Sequence, residues 1–195
     1  MTRTAKAEAT RDAILSTGEG LILDKGFVGV GLQEILTTCG VPKGSFYHYF
    51  PSKEAFGVAV VERYVEHYLA AVDALLVDGG GTARERIRRL AEAWSGQQGE
   101  ASAERCLVVK LSAEVSSFSE PMRETLSDGV RRLLRGLADT VATGYAEGSI
   151  PERRPAAEVA ESLYQAWLGA ALLDRLRRDG EAFRTALLTT DLLTA

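Results

Sequence analysis

Apolar positions along this chain recur at helical spacing, and no segment alternates as a strand would. From about Ala5 to Lys25, Ile14, Gly18, Leu21 and Ile22 stand at i, i+4, i+7 and i+8, one face of an amphipathic helix that Gly26 stops. Leu32, Ile35, Leu36 and Cys39 follow at i, i+3, i+4 and i+7, with Gly31 placed to cap the start and Gly40 to end the helix. Pro42 then restarts the chain. Proline suits a first helical turn, where its missing N–H is not needed, so Pro42 to about Tyr49 reads as a third short helix after a tight turn.

Ser52, after Pro51, is a good N-cap for a long helix through Phe56, Val60, Tyr64 and Tyr68 to about Val77, where Asp78-Gly79-Gly80-Gly81 ends it. Thr82-Ala83-Arg84-Glu85 has the form of a capping box and opens a helix through Ile87, Leu90, Ala91 and Trp94. Beyond the polar stretch Gly96 to Ser102, helices are expected over Cys106 to Val115, Glu120 to Ala146, Ala156 to about Arg178, and Glu181 to Leu193. No internal repeat interrupts this order. The expected fold class is all-α: three short N-terminal helices, a long connecting helix, and a larger helical bundle.

Composition removes several classes. With 195 residues, 46% hydrophobic and 26% charged, the chain can bury a core without disulfides and is neither disordered nor collagen-like. No apolar run approaches the roughly 18 residues of a membrane span, and Met1 to Asp12 lack the apolar core of a secretion signal, so a cytoplasmic protein without membrane contact is expected. Cys39 and Cys106, 67 positions apart, lack metal-ligand spacing and are expected as thiols. No metal and no cofactor is expected. Neither a phosphate-binding glycine loop nor a nucleophile elbow nor a His-Glu-x-x-His motif occurs, so no catalytic residue is assigned and the chain is expected not to be an enzyme.

The net charge of −4 argues at first against a nucleic-acid partner. It is unevenly spread. Residues 1–56 hold six basic side chains (Arg3, Lys6, Arg11, Lys25, Lys43, Lys53) and six acidic ones (Glu8, Asp12, Glu19, Asp24, Glu34, Glu54), so the whole deficit lies downstream. Two short helices joined by a tight glycine turn, with a third packed behind, form the unit that sets its second helix in the DNA major groove. Phe46 and Phe50, four residues apart, are expected to bury against Ile14, Leu32 and Leu36. The opposite face would then present Lys43, Ser45, Tyr47 and His48, donors for base edges or phosphates, with Gly44 admitting close backbone approach. Lys53, beside the free N–H groups that open the long helix, is placed as a phosphate clamp. Taken alone, the same stretch also fits a helical corner whose aromatics fill a core.

Gly26-Phe27, Gly40-Val41-Pro42-Lys43-Gly44-Ser45-Phe46-Tyr47-His48-Tyr49-Phe50 and Ser52-Lys53-Glu54 closely resemble the DNA-binding signature of the TetR family of transcriptional regulators. The resemblance implies a helix-turn-helix DNA-binding domain over residues 1–55 and an effector-binding and dimerisation domain over 56–195. It further implies a homodimer on a two-half-site operator, usually repressing until a small molecule binds. Pro42 stands where that family often has Ser or Thr. Cys106 to Val115, Ser119-Glu120-Pro121-Met122-Arg123 and Leu163 to Ala170 further resemble the electrophile-responsive NemR-like subgroup. That likeness makes Cys106 a candidate sensor of electrophiles and oxidants. It implies a lysine at position 175, where this chain has Arg175, and a second cysteine at 116, where it has Ser116. Arginine stays protonated, so Arg175 can stabilise a thiolate but not act as a nucleophilic amine.

A reactive Cys106 needs its thiolate, and three features favour it: adjacent Arg105, Lys110 one turn on, and a helix N-terminus nearby. Cys106 as a small buried apolar group is the structural alternative. Trp94, Phe118, Tyr164 and Trp167 are bulk for a core or a pocket, and Tyr164 and Trp167 are effector-pocket candidates. Cys39 is read as structural and His67 as solvated, and the arginines at 84, 86, 88, 89, 131, 132 and 135 as helix faces paired with acids. Val159, Leu163, Ala166, Ala170 and Leu173 form the row expected to make half of a four-helix dimer interface. A helical redox or adaptor protein that binds no DNA is the competing class, and the neutral N-terminal segment favours it.

Overall fold

A computed structural model describes residues 3–77, 80–96, 102–103 and 106–195, the side chains of residues 3, 4 and 6 excepted. Among the described residues the chain is helical throughout, without strands: α1 (Arg3–Lys25), α2 (Leu32–Cys39), α3 (Lys43–Tyr49), α4 (Lys53–Leu76), α5 (Ala83–Ser95), α6 (Leu107–Phe118), α7 (Glu120–Glu147), α8 (Ala156–Arg177) and α9 (Glu181–Leu193). None of these helices is long and apolar enough to cross a membrane.

Local chemistry sets the boundaries. Gly40 takes the left-handed conformation (φ 65°) after α2, and the Gly40 and Val41 amides donate to the carbonyls of Thr37 and Leu36 at 3.2 and 3.1 Å, closing the helix with paired C-terminal bonds. Pro42 stands one position earlier than expected: it is the extended N-cap of α3, and its carbonyl accepts from Ser45 and Phe46. The Ser52 hydroxyl accepts from the Ala55 amide at 3.0 Å, and the Thr82–Glu85 capping box forms in both directions. Asp78, Gly79 and most of the polar stretch from Gly96 to Ser102 lie outside the described residues.

Packing divides the chain into two compact units, Met1–Glu66 with Lys110–Ser127, and His67–Val109 with Asp128–Ala195. The first takes in the helix-turn-helix segment together with the start of α4 and most of α6. Its core is built from Ile14, Leu15 and Ile22 of α1, Ile35 and Leu36 of α2, and an aromatic cluster. Phe46, Phe50 and Phe56 form that cluster, with ring centroids 5.2 to 5.4 Å apart. Leu32 and Cys39, at the ends of the α2 stripe, are only half-buried. Phe118 departs from expectation: it is 57% exposed and touches one ring, that of Phe27, at 5.7 Å.

In the second unit α8 pairs with α9 and both meet α5. Trp94, Tyr164 and Trp167 are buried together, and the Trp167 indole N–H donates to the Thr190 hydroxyl at 3.0 Å. Val159, Leu163 and Ala170, expected at a dimer interface, instead fill the core of their own chain. α8 carries apolar residues on more than one face, and spacing alone does not say which of them turns inward. Leu172 and Leu176 on α8 and Leu188 and Leu192 on α9 are the exposed row, with Leu173 beside them. Arg88 pairs with Glu92 and Asp191, and His67 is exposed.

Gly18 and Gly20 on α1 give a paired test of this packing. A Cβ at position 18 would lie 2.1 Å from the buried Phe56 ring, whereas one at position 20 meets nothing within 4 Å. Gly18→Ala is expected to cost about 1–3 kcal/mol, and Gly20→Ala to gain up to about 1 kcal/mol from helix propensity. Denaturant titration of both variants checks the opposite signs; two shifts in the same direction contradict the close approach.

Candidate nucleic-acid interface and cysteine site

α3 is seven residues long, and its two faces differ completely. Phe46 is fully buried and Phe50, just past its end, almost so, while Lys43, Gly44 and His48 are exposed, Tyr47 is 43% exposed, and Ser45 is half-buried. The Lys43 ammonium lies 5.9 Å from the centre of the Tyr47 ring, and the Arg11 guanidinium lies over Phe50 at 5.5 Å. Three of the six acids counted against this segment are engaged elsewhere. Glu19, nearly buried, accepts from Arg63 at 2.8 Å, Glu34 pairs with Lys25, and Glu54 accepts from the Ser119 hydroxyl at 2.7 Å. The outward face of α3 carries hydrogen-bond donors and the Lys43 ammonium, with no carboxylate of its own helix to oppose them.

The turn between α1 and α2 is held from two sides. Lys53 donates to the Phe27 carbonyl at 2.9 Å with its ammonium 4.5 Å from the Phe27 ring centre, and burial lowers its pKa while Glu114 counteracts this. One of its three N–H bonds is thus committed inside the protein, and two are left for an outside acceptor. From α6, the Glu114 carboxylate accepts from the Val28 amide at 3.1 Å, and Lys110 donates to the Asp24 carbonyl at 2.9 Å. Gly26 sits at φ 78°, a conformation that favours glycine, and a Cβ there would lie 2.2 Å from a Glu114 carboxylate oxygen, so that carboxylate would have to shift.

Cys106 is fully buried, immediately ahead of α6, with its amide donating to the Ala103 carbonyl at 3.2 Å. Of the groups expected to activate it, Lys110 donates one N–H to the Asp24 carbonyl, and Arg105 lies outside the described residues. Cys106 itself directly precedes the N-terminus of α6. Two phenols accompany it. Burial raises the pKa of Tyr68, a negative charge on Cys106 adds to this, and the hydrogen bond donated by the Trp94 indole works against it. Tyr164 is likewise raised by burial first, then by Cys106 and Tyr68. Both phenols are buried, which favours their protonated form. Cys39, half-buried, has its pKa raised by burial. Arg175 is exposed and lines a cavity that Ala103 also lines.

Tyr68 and Glu114 are the residues that sequence reasoning gave no role. Tyr68 continues the apolar stripe of α4, and only its hydroxyl, invisible to periodicity, sets it apart. Glu114 reaches an amide 86 residues away, which no local pattern signals. Among the described residues no group of three or more His, Cys, Asp or Glu is arranged to hold a metal.

Residues 14–60 match the family profile described as bacterial regulatory proteins, tetR family, and residues 83–189 match the tetracyclin repressor-like C-terminal domain. The chain is 42% identical to the HTH-type transcriptional repressor NemR of Escherichia coli over 181 residues, 91% of this chain and 90% of that protein. It belongs to the TetR family of transcriptional regulators. Another relative, the transcriptional regulator AcuR of Cereibacter sphaeroides, is 30% identical over 87% of this chain and 78% of its own length. The crystal structure of E. coli NemR in its reduced form superposes with a TM-score of 0.88 at 41% identity, over 95% of this chain and 97% of that one. Residues 14–60, which take in α2 and α3, are therefore the N-terminal helix-turn-helix domain of a TetR-family regulator.

The two phenols give this TetR-family protein an alkaline signature. A folded-state pKa above the unfolded value near 10 contributes stability that is complete below about pH 10 and is lost as pH rises beyond it. Absorbance of ionised tyrosine should therefore appear in two stages on alkaline titration, with the share from Tyr68 and Tyr164 arriving only on unfolding. Tyr68→Phe should remove part of the second stage; a single stage in the folded wild type contradicts the buried phenols.

Proposed function

We propose that this TetR-family chain is a homodimeric transcriptional repressor that holds a palindromic operator through two copies of α3. It lets go when a small-molecule effector binds or an electrophile or oxidant modifies Cys106. The observation that carries the reading is α3 itself, a short rod whose buried side is locked by Phe46 and Phe50 and whose outer side offers Lys43, Gly44, Ser45, Tyr47 and His48. Lys43 reads a guanine edge or binds a phosphate, Tyr47 and His48 add donors, and the free N–H bonds of Lys53 meet the backbone. The DNA-binding part is the segment over residues 1–55. A repressing rather than activating direction is supported by the name of the relative NemR.

Dimerisation uses α8 and α9. Leu172, Leu176, Leu188 and Leu192 leave a solvent-facing apolar surface that a second copy covers by a two-fold four-helix contact. Two recognition helices then meet successive major grooves about 34 Å apart. Release starts at Cys106. Its sulfur is fully buried, so a reagent reaches it through local opening, and an adduct does not fit the closed site. α6 starts at the next residue and carries Lys110 and Glu114, whose bonds to Asp24 and Val28 hold the end of α1 and the turn before α2. α4, which carries Tyr68 and begins three residues after α3, offers a second route. The effector works by the difference in its affinity for the two dimer states.

Three outcomes follow. Lys43→Ala with Tyr47→Ala should weaken operator binding by roughly tenfold or more in fluorescence anisotropy, at an unchanged melting temperature. Leu176→Glu with Leu192→Glu should convert the dimer to monomer in light scattering and abolish tight operator binding; a dimer that survives rejects the proposed face. Cys106→Ser should bind operator normally yet no longer release it on treatment with a quinone or hypochlorite, and unchanged release removes Cys106 from the mechanism.

A further inference from the structure

The junction between α8 and α9 contains an oddity that operator binding and dimerisation leave unused. Arg178, the C-cap of α8, sits at φ 54° and is the one non-glycine residue with positive φ among the described residues. A residue with a Cβ pays a steric cost there, which is why glycine commonly ends helices in this way. Arg178 lines a cavity of about 590 Å³ together with Arg175, one turn earlier, and Asp174, Ala171, Ala103 and Phe183. That volume lies within the range of small-molecule sites.

Charge pairing in this corner is selective. Arg177 is paired with Asp179 at 3.1 Å, and Arg184 with Glu181. Asp174, the one acid among the described lining residues, accepts the Gly180 amide at 2.9 Å. Arg175 and Arg178 have no acid within salt-bridge distance among the described residues. Among the described residues the cavity thus holds two guanidinium groups without an acidic partner against one engaged carboxylate, beside an apolar wall made by Ala103, Ala171 and Phe183. On α8 the cavity residues 171, 174 and 175 follow i, i+3 and i+4, a face turned away from that of Leu172 and Leu176 by roughly a third of a turn, and Arg178 caps the helix beyond them.

We infer that this cavity is a binding site for a small organic carboxylate, its charge held between Arg175 and Arg178 and its apolar body lying against Phe183 and the two alanines. An arginine at this glycine-favouring position brings a guanidinium to the cavity, with paired donors matched to a carboxylate. Ala103 lines this cavity and accepts the Cys106 amide, so occupancy bears on the segment that leads into α6. As an effector site it rests on the function proposed above; as a binding site it does not.

Isothermal titration of the purified full-length protein with 3-phenylpropanoate, its neutral amide 3-phenylpropanamide, and inorganic phosphate at matched ionic strength tests the site. The acid is expected to bind at least about tenfold tighter than the amide or phosphate, and Arg175→Gln and Arg178→Gly each to weaken it by about tenfold or more. Arg178→Gly should at the same time melt no lower than wild type, because glycine relieves the backbone, so its loss of binding is not loss of fold. The site is overturned if the acid gives no heat at concentrations on the order of 10 mM, if amide or phosphate binds as well as the acid, or if both variants bind like wild type. Anisotropy on a duplex from the chain's own upstream region separates the two levels. Ligand binding that leaves the duplex complex intact removes the effector role and keeps the site, whereas a ligand-free protein that binds no duplex refutes the operator reading and leaves the calorimetry decisive.

Discussion

Phe56 lies where it does because residue 18 has no side chain. The ring would collide with any Cβ there, and from that position it meets Phe46 and Phe50 at 5.3 and 5.2 Å. α3 is too short to persist alone, since a helix of seven residues cannot offset the cost of its own nucleation. Its existence and its orientation both come from burying two aromatic residues on this wedge. Once Phe46 and Phe50 point inward, helical geometry leaves Lys43, Tyr47 and His48 no direction but outward.

A second layer of polar contacts fixes the turn ahead of α2. Lys53, Glu114 and Lys110 each satisfy a backbone group around the end of α1, and each comes from a different stretch of chain or a different side. Two of these three belong to α6, the helix that begins beside the buried sulfur. Interactions of this kind are modest one by one, about 1 kcal/mol each and somewhat more where a charge is involved.

Much of this organisation is legible in the sequence because the signals are local. Gly40, Ser52 and the Thr82–Glu85 pair announce helix ends by chemistry that acts over one to four residues, and the structure places all three as that chemistry requires. The all-helical class and the outward set on α3 follow from period and from the identity of two phenylalanines. What spacing did not carry is the choice between faces that are all apolar, as on α8, where Val159, Leu163 and Ala170 face inward and Leu172 and Leu176 outward. Nor did it carry partners brought in from afar. The Lys110 ammonium serves a carbonyl 86 residues earlier, and Phe118 is a surface residue. The Tyr68 hydroxyl meets the Trp94 indole through tertiary packing alone.

Hydrogen–deuterium exchange of the protein with and without a duplex from its own upstream region tests the central claim most directly. The account predicts new protection concentrated in the amides of residues 43–50 and at the start of α4, present with that duplex and weak or absent with a scrambled one of equal length. Equal protection by both duplexes, or protection that bypasses α3, would contradict it.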